Sequence, residues 1–296
     1  MALRKENRGV RITAHIVMIF ASVMAIFPFI LLISSSFTST EAIAAYGYSF
    51  FPREISFEAY SYLFKAWSMI GRAYLITIIV TVIGTALSLL LTTLLAFGLA
   101  WNKTPFRKVI MVLLVITMLF NGGAVSSYII YTNVFHIQDT IWALIVPNML
   151  MNAITVILFM NYFKHSVSSD LMEAAQMDGA NMFTIYWKMY IPMALPLIAT
   201  IGLTTAITFW NDWNNSLYYI SPASQDLYSI QRLLQEMQES AKFLASNPNL
   251  GLSGVEIPGA SVQMAIAVIG ILPILIAYPF FQKYFIAGIG FGAGKE

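Results

Sequence analysis

Six apolar runs, each long enough to cross a membrane as a helix, most constrain how this chain of 296 residues can fold. The hydrocarbon core of a bilayer is about 30 Å thick, which takes about 20 helical residues to span. The sequence therefore predicts an all-α polytopic membrane protein with six transmembrane helices. The runs lie near Ile12–Ser35, Ala73–Ala100, Val109–Tyr131, Ile141–Phe163, Met189–Phe209 and Val262–Phe281.

The composition agrees with a membrane protein and excludes several other classes. Charged residues make up 10% of the chain, against about 25% in an ordinary soluble domain. A net charge of +2 is too small to suggest a nucleic-acid partner, and the absence of cysteine excludes disulfides, thiolate metal sites and cysteine nucleophiles. The first apolar run follows basic residues, as in a signal peptide. It is too long and lacks a small-residue cleavage site, so we interpret it as an anchored first span.

The distribution of Lys and Arg predicts the orientation, because cytoplasmic loops are enriched in these residues. With the N-terminus inside, the outer segments hold Arg53, Lys65, Arg72, Arg232 and Lys242. The shorter inner segments hold more basic residues: Arg4, Lys5, Arg8, Arg11, Lys103, Arg107, Lys108, Lys164, Lys188, Lys283 and Lys295. Both termini are therefore expected in the cytoplasm.

One polar segment between the fourth and fifth runs lies on the predicted cytoplasmic side. Residues 171–180 are typical of a short helix that Gly179 ends, with Asp170 and Glu173 at its start. A second short amphipathic turn, residues 181–188, leads to Pro192 and the next apolar run. Two short helices at a membrane face, with small alanines exposed, would offer a partner protein a surface to bind.

This segment resembles the EAA loop of bacterial ABC-importer permeases. Glu173, Ala174, Ala175, Gly179 and Pro192 match the motif, whose Ile and Leu are replaced conservatively by Met189 and Ile191. From residue 11 to residue 295, the chain is similar to the carbohydrate-uptake branch, specifically the second permease of maltose-type and complex-oligosaccharide importers. The resemblance implies a type I ABC importer permease fold in the bacterial cytoplasmic (inner) membrane.

The resemblance also implies a function and a set of partners. The chain would be a transport subunit, not an enzyme, that passes a sugar, an oligosaccharide, into the cytoplasm. Its expected partners are a homologous second permease, two ATPase subunits, an extracytoplasmic solute-binding protein and membrane lipid. No cofactor is expected in this chain, because ATP and Mg belong to the ATPase subunits. Glu173 would contact the ATPase groove, and Gly179 would allow the turn between the short helices.

The chain divides accordingly into a cytoplasmic N-terminal segment, a first span, an extracytoplasmic segment, a core permease domain and a cytoplasmic tail. Short helices are expected at Phe57–Trp67 and Asp226–Ala245 in the outer segments. The resemblance implies that the outer loop contacts the binding protein and that the flexible, glycine-rich tail contacts the ATPase pair. A passive connector and a disordered end are the alternatives. The boundaries are 1–11, 12–35, 36–72, 73–283 (coupling loop 168–192, outer loop 214–261) and 284–296.

The residues give no catalytic or metal site. His15, His136 and His165 fall far apart, and residues 288–295 lack the spacing of a phosphate-binding loop. An ion-coupled secondary transporter is disfavoured, because the cores of the predicted spans hold no ionisable residue. An ABC importer for another solute, such as a polyamine or phosphate, stays open, as does a membrane scaffold.

Uncharged polar residues inside the spans are candidates for the substrate pathway, because amides and hydroxyls exchange hydrogen bonds with a neutral sugar. The candidates are Asn148, Asn152, Thr204 and Asn211, with both asparagines of the fourth run expected on one helix face. Alternatively, asparagine bonds between helices and threonine bonds its own backbone. Residues 121–123 are expected to break the third helix, with a gate as a hypothesis, and Gly84 to serve helix packing.

Overall fold

The computed structural model describes residues 8–147, 149–167, 169–246 and 259–292. These residues form no strand; a single isolated bridge joins Thr38 and Ile55. The helical fold is confirmed. The α-helices are α1 (Arg8–Ser36), α2 (Thr40–Tyr46), α3 (Glu58–Lys65), α4 (Trp67–Ala100), α5 (Arg107–Leu119), α6 (Gly123–Ile129), α7 (Trp142–Ile145), α8 (Ala153–Ser166), α9 (Ser169–Met177), α10 (Met182–Ile185), α11 (Ile191–Met193), α12 (Leu195–Trp210), α13 (Asn214–Tyr219), α14 (Ile230–Ser246) and α15 (Ala260–Gly292).

Two helices of the described residues are long and apolar enough to cross a membrane unaided, Gly9–Ser36 and Trp67–Ala100. A third passes only as the bent pair Met182–Met193 and Leu195–Trp210, and Ala260–Ile276 is a shorter apolar stretch. The number of six spans therefore stays a prediction, because only part of the predicted runs form single long helices in the described residues. The other apolar runs are interrupted, each for a local reason.

The third run breaks between α5 and α6, where the sequence predicted a break. Phe120 is extended, and Gly123 has a φ of 79°, a left-handed conformation that few other residues adopt. The side-chain oxygen of Asn121 accepts a hydrogen bond from the Gly123 amide at 2.9 Å. The Gly123 amide thus donates to a side chain instead of to a backbone carbonyl of a continuing helix. A π-helical turn, Ile130–Val134, follows α6.

The fourth run is also two pieces, α7 and α8. Pro147 follows α7 and has no amide hydrogen to donate to a continuing helix. Asn152 is extended and caps α8, its side-chain oxygen accepting from the amides of Ile154 and Thr155 at 2.9 and 3.3 Å. The expectation that Asn148 and Asn152 share a helix face is wrong, because the chain between them is not helical. Asn148 itself lies outside the described residues.

The fifth run bends by 79° at Ala194. Pro196 stands at the start of α12, and a straight helix would drive its ring into the carbonyl of Pro192, four residues earlier. The part before the bend, Met182–Met193, consists of α10, a π-helical turn over Tyr186–Tyr190, and α11.

The segments near the C-terminus differ from the sequence prediction at their ends. The expected helix Asp226–Ala245 is a 3₁₀ turn, Pro222–Leu227, followed by α14, because Tyr228 is extended and the Ser229 hydroxyl accepts from the Arg232 amide at 3.3 Å. The tail expected to be flexible remains helical as far as Gly292, at the end of α15. Each glycine costs a helix about 1 kcal/mol, and the helical bonds of α15 continue despite that cost. The outer loop 247–258 and residues 293–296 lie outside the described residues.

The chain forms two compact units, of which one comprises Met1–Ser68 and Leu234–Leu272. In this unit Ser39 caps α2, and the hydroxyls of Thr40 and Ser261 lie 2.8 Å apart. The most apolar stretch of α1 has no buried residue, so its apolar side chains lie on the surface of the chain.

The other unit comprises Met69–Leu233 and Pro273–Glu296, and its described residues form at least two apolar cores. The first core joins α4 and α8 to the polar segment after α8; it includes Phe97, Phe159, Phe163, Met172, Tyr186 and Tyr190. The second core includes Ile76, Val80, Leu144, Phe209, Tyr219 and Tyr228. The first core packs against the predicted coupling loop, and the second lies beside the cavity described in the next section.

Candidate coupling surface and transport cavity

The predicted coupling loop forms two short helices joined by a glycine turn. After α9, the Gly179 amide donates to the Gln176 carbonyl and the Ala180 amide to the Ala175 carbonyl, both at 3.0 Å. This pair of bonds is a Schellman motif, which needs a left-handed residue, and Gly179 has a φ of 83°. The predicted turn at Gly179 is confirmed. We name α9, this turn, α10 and the π-helical turn Tyr186–Tyr190 the coupling surface.

Met172 anchors α9 to the first core. Its side chain is 4% exposed and accepts a hydrogen bond at sulfur from the Tyr190 hydroxyl at 3.4 Å. Ala175, one turn later, is half-buried and packs against the same core, which corrects the expectation that it is exposed. Glu173 and Ala174 face away and are exposed. Helical periodicity could have identified Met172, because it lies three residues before Ala175 on the same face.

Glu173 forms an ion pair that the sequence did not predict. Its carboxylate lies 3.5 Å from the Lys103 ammonium in the turn between α4 and α5, and both side chains are about two-thirds exposed (66% and 67%). Arg107 holds this turn through the Leu99 carbonyl at 2.8 Å and the Asn102 side chain at 2.7 Å. An exposed pair contributes about 0–1 kcal/mol, so Glu173 stays available to a partner.

The second short helix continues into the core. The Asn181 side chain accepts from the Thr184 amide at 2.8 Å and begins α10. In the π-helical turn that follows, Tyr186 is 1% exposed, and its hydroxyl lies 2.7 Å from that of Thr93 on α4. Pro192 is exposed in α11, two residues before the bend.

A polar cavity of about 670 Å³ lies beside the second core. The breaks described above contribute Asn121, Gly123 and Pro147 to its wall, and the end of α12 contributes Thr208 and Asn211. The remaining lining residues are Ala124, Ser127, Met149, Ile207, Asp212, Asn214, Asn215, Tyr218 and Tyr219. Amide and hydroxyl side chains stand beside apolar ones in this wall, which suits a ligand that has both hydrogen-bonding groups and apolar faces.

Asn215 and Asp212 lie in the cavity wall just after α12 ends. Asn215 is 5% exposed, and its amide nitrogen donates to the Pro147 carbonyl at 3.1 Å, which satisfies a carbonyl freed by the break in the fourth run. Burial raises the pKa of Asp212 to about 6, although hydrogen bonds from the backbone of Asn215 and Asn214 oppose the shift. The group is therefore mostly ionised at pH 7.

Of the predicted pathway residues, only Asn211 is described at this cavity. Thr204 bonds the Ile201 carbonyl at 2.9 Å and is absent from the wall, while Asn152 serves as a helix cap. Sequence reasoning missed Asn214, Asn215 and Tyr218. The density of amide side chains over residues 211–215 was the signal that could have found them.

Residues 88–290 match the family model described as binding-protein-dependent transport system inner membrane component. The chain belongs to this family. It is thus a membrane component of a transport system and not an enzyme, and the predicted resemblance to ABC-importer permeases is confirmed.

Relatives of this permease match along nearly its whole length. The polygalacturonan/rhamnogalacturonan transport system permease protein YtcP of Bacillus subtilis is 32% identical over 98% of this chain and 99% of its own. The arabinooligosaccharides transport system permease protein AraQ of the same organism is 26% identical over 96% of each chain. A subunit in the crystal structure of a bacterial ABC transporter involved in the import of the acidic polysaccharide alginate superposes with a TM-score of 0.77. It is 29% identical over 96% of this chain and 99% of its own.

Proposed function

We propose that this permease is the transmembrane subunit of an ATP-driven importer that passes an oligosaccharide from a solute-binding protein into the cytoplasm. The observation that carries the proposal is the 32% identity to YtcP over nearly the full length of both chains, since YtcP is named as a polygalacturonan and rhamnogalacturonan permease. AraQ and the alginate importer are also named for carbohydrate chains.

The cavity supports a sugar as the solute. Its described wall offers Asn121, Ser127, Thr208, Asn211 and Asn214, neutral groups that can donate and accept hydrogen bonds. Sugar hydroxyls need both, and the Asp212 carboxylate in the same wall can accept further hydrogen bonds from them. The aromatic ring of Tyr218 adds a flat apolar surface for the CH faces of a sugar ring.

In this proposal the chain crosses the bacterial inner membrane six times, with both termini in the cytoplasm. Three of the spans contain a break or bend: at residues 120–122, between α7 and α8, and at residue 194. Irregular backbone is tolerated at membrane depth where it lines a water-filled cavity, and the first two of these breaks supply cavity residues.

The coupling surface would receive the ATPase subunits. Glu173 and Ala174 are exposed while Met172 fixes α9 to the core, so a movement imposed on the exposed side reaches the interior. A homologous second permease would complete the pore and bind the second ATPase subunit. ATP and Mg would act only in those subunits, and the binding protein would deliver the sugar from outside.

The test is purification in mild detergent followed by reconstitution into vesicles. We expect a second permease and an ATPase to co-purify, and uptake of arabino-oligosaccharide or oligogalacturonide to require ATP and the binding protein. Uptake of spermidine or phosphate but no sugar would assign another solute class. Uptake driven by a sodium or proton gradient without ATP would overturn the proposal.

A further inference from the structure

Tyr186 and Thr93 form a buried hydrogen bond between the coupling surface and α4. The two hydroxyls are 2.7 Å apart, and the residues are 1% and 2% exposed. Thr93 also lies 2.6 Å from the Leu89 carbonyl, which can only accept. The single hydrogen of Thr93 therefore goes to Leu89, and Tyr186 donates to Thr93.

The other contacts around Tyr186 are aromatic. Phe97 packs against Tyr186 and Tyr190 with ring centroids 5.4 and 4.8 Å apart, and Phe163 packs edge-on against Tyr190 at 5.2 Å. Apolar contacts are non-directional and tolerate small sliding movements. A hydrogen bond weakens steeply when its geometry changes, so it fixes the position of one element against another.

The two tyrosine hydroxyls of the π-helical turn have different partners. Tyr190 donates to Met172 of α9, within the coupling surface, whereas Tyr186 donates to Thr93 of α4. Tyr190 thus provides a matched control in the same turn: a buried tyrosine hydroxyl that does not reach α4.

α4 in turn packs closely on α12, which lines the cavity. A Cβ at Gly84 of α4 would lie 2.6 Å from the ring of Phe209, and one at Gly202 of α12 would lie 3.1 Å from Leu89. Phe209 is flanked by Thr208 and, two residues on, Asn211 in the cavity wall. A continuous set of contacts therefore runs from Tyr186 through Thr93 and α4 to the helix that lines the cavity.

We propose that Tyr186 is a positioning residue for transport, whose hydroxyl fixes the coupling surface to α4 so that movement of this surface displaces the cavity wall. The proposal rests on the proposed function, because it assumes that an ATPase moves the coupling surface. Loss of the hydroxyl leaves the aromatic packing in place and lets the surface slide against α4. ATP hydrolysis then continues while less sugar is carried.

The experiment measures sugar imported per ATP hydrolysed by the reconstituted complex, with the sugar that the wild type imports. We expect Tyr186→Phe and Thr93→Val each to lower this ratio about threefold to tenfold, the range that corresponds to one net hydrogen bond. The double variant should be no worse than either single one, because both remove the same bond. Thr93→Ser, which keeps a hydroxyl, should retain the wild-type ratio.

Tyr190→Phe should lower the ratio less than Tyr186→Phe does, because Met172 keeps its apolar packing, and ATPase co-purification and the melting temperature should stay near wild type in Tyr186→Phe. Equal losses in Tyr186→Phe and Tyr190→Phe would overturn the proposal in favour of general packing, as would an unchanged ratio in Tyr186→Phe. A wild-type complex that neither binds an ATPase nor imports sugar would instead refute the proposed function.

Discussion

Gly84 of α4 lies directly against the ring of Phe209 of α12, and a Cβ at this glycine would come within 2.6 Å of the ring carbons. Phe209 is 2% exposed and belongs to the second core, so its ring is packed among other buried side chains. The contact sets the separation of the two helices. It confirms that Gly84 serves helix packing, as the sequence predicted.

Gly84→Leu should therefore destabilise the permease by about 1–3 kcal/mol, the cost of overpacking a filled core. The measurement is the thermal unfolding temperature in detergent. Gly98→Ala is the matched control, because a Cβ at Gly98, on the same helix, meets nothing within 4 Å. A Gly84 variant as stable as the Gly98 variant would show that α4 and α12 can separate freely.

Glu173→Lys should abolish most ATP-driven uptake while the fold persists, because the exposed carboxylate becomes a positive charge on the coupling surface. The readouts are uptake and co-purification of the ATPase. Lys103→Ala distinguishes loss of the ATPase contact from loss of the ion pair, since it removes the 3.5 Å ion pair and leaves Glu173 in place. If this control loses uptake equally, the ion pair and not the partner contact is what matters.

Gly179→Asp should weaken coupling through the backbone. The left-handed φ of 83° costs an L-residue about 1–2 kcal/mol, although nothing lies within 4 Å of the position where a Cβ would stand. We expect reduced ATPase co-purification with little change in global unfolding temperature. Normal uptake and normal co-purification in this variant would contradict a role for the Schellman turn.

Asp212 should make stability depend on pH. Because its folded pKa is raised from 3.8 to about 6, the folded protein binds the proton more tightly than the unfolded chain. Stability should then fall as pH rises from about 4 through 6, by about 3 kcal/mol in total at 1.36 kcal/mol per pKa unit. Unfolding temperatures at pH 5 and pH 7.5 test this, with Asp212→Asn as the comparison. An identical pH dependence in Asp212→Asn would exclude Asp212 as its source.

Asn211→Leu should lower sugar uptake, because it replaces an amide of the cavity wall by an apolar side chain. Since Asn211 is exposed, the unfolding temperature of the Asn211→Leu variant should barely change.

Asn152→Ala should instead lower stability and leave transport intact. The variant loses the cap of α8, which costs about 1 kcal/mol, and keeps its affinity for sugar. Initial uptake rates at varied sugar concentration distinguish the two. A larger uptake defect in Asn152→Ala would restore the pathway role that the sequence predicted for it.

Local patterns accounted for the features that depend on a few neighbouring residues. The glycine turn at Gly179, the break at Asn121 and the helical class follow from φ preferences, short side-chain bonds and apolar runs. The breaks at Pro147 and Ala194 were missed, although each lies near a proline. Hydropathy averages over a window and does not respond to a single missing amide hydrogen.

The sequence by itself determined that the chain is a helical membrane permease with a short polar helix around Glu173 that ends at Gly179, because hydropathy and a contiguous motif are local properties. Tertiary structure alone decided that Lys103 pairs with Glu173, that Thr93 receives the Tyr186 hydroxyl and that Asn215 bonds the Pro147 carbonyl. These partners lie roughly 70 to 90 positions apart along the chain. Only the packing of helices brings them within hydrogen-bond distance, and no periodicity in the sequence encodes which pairs will meet.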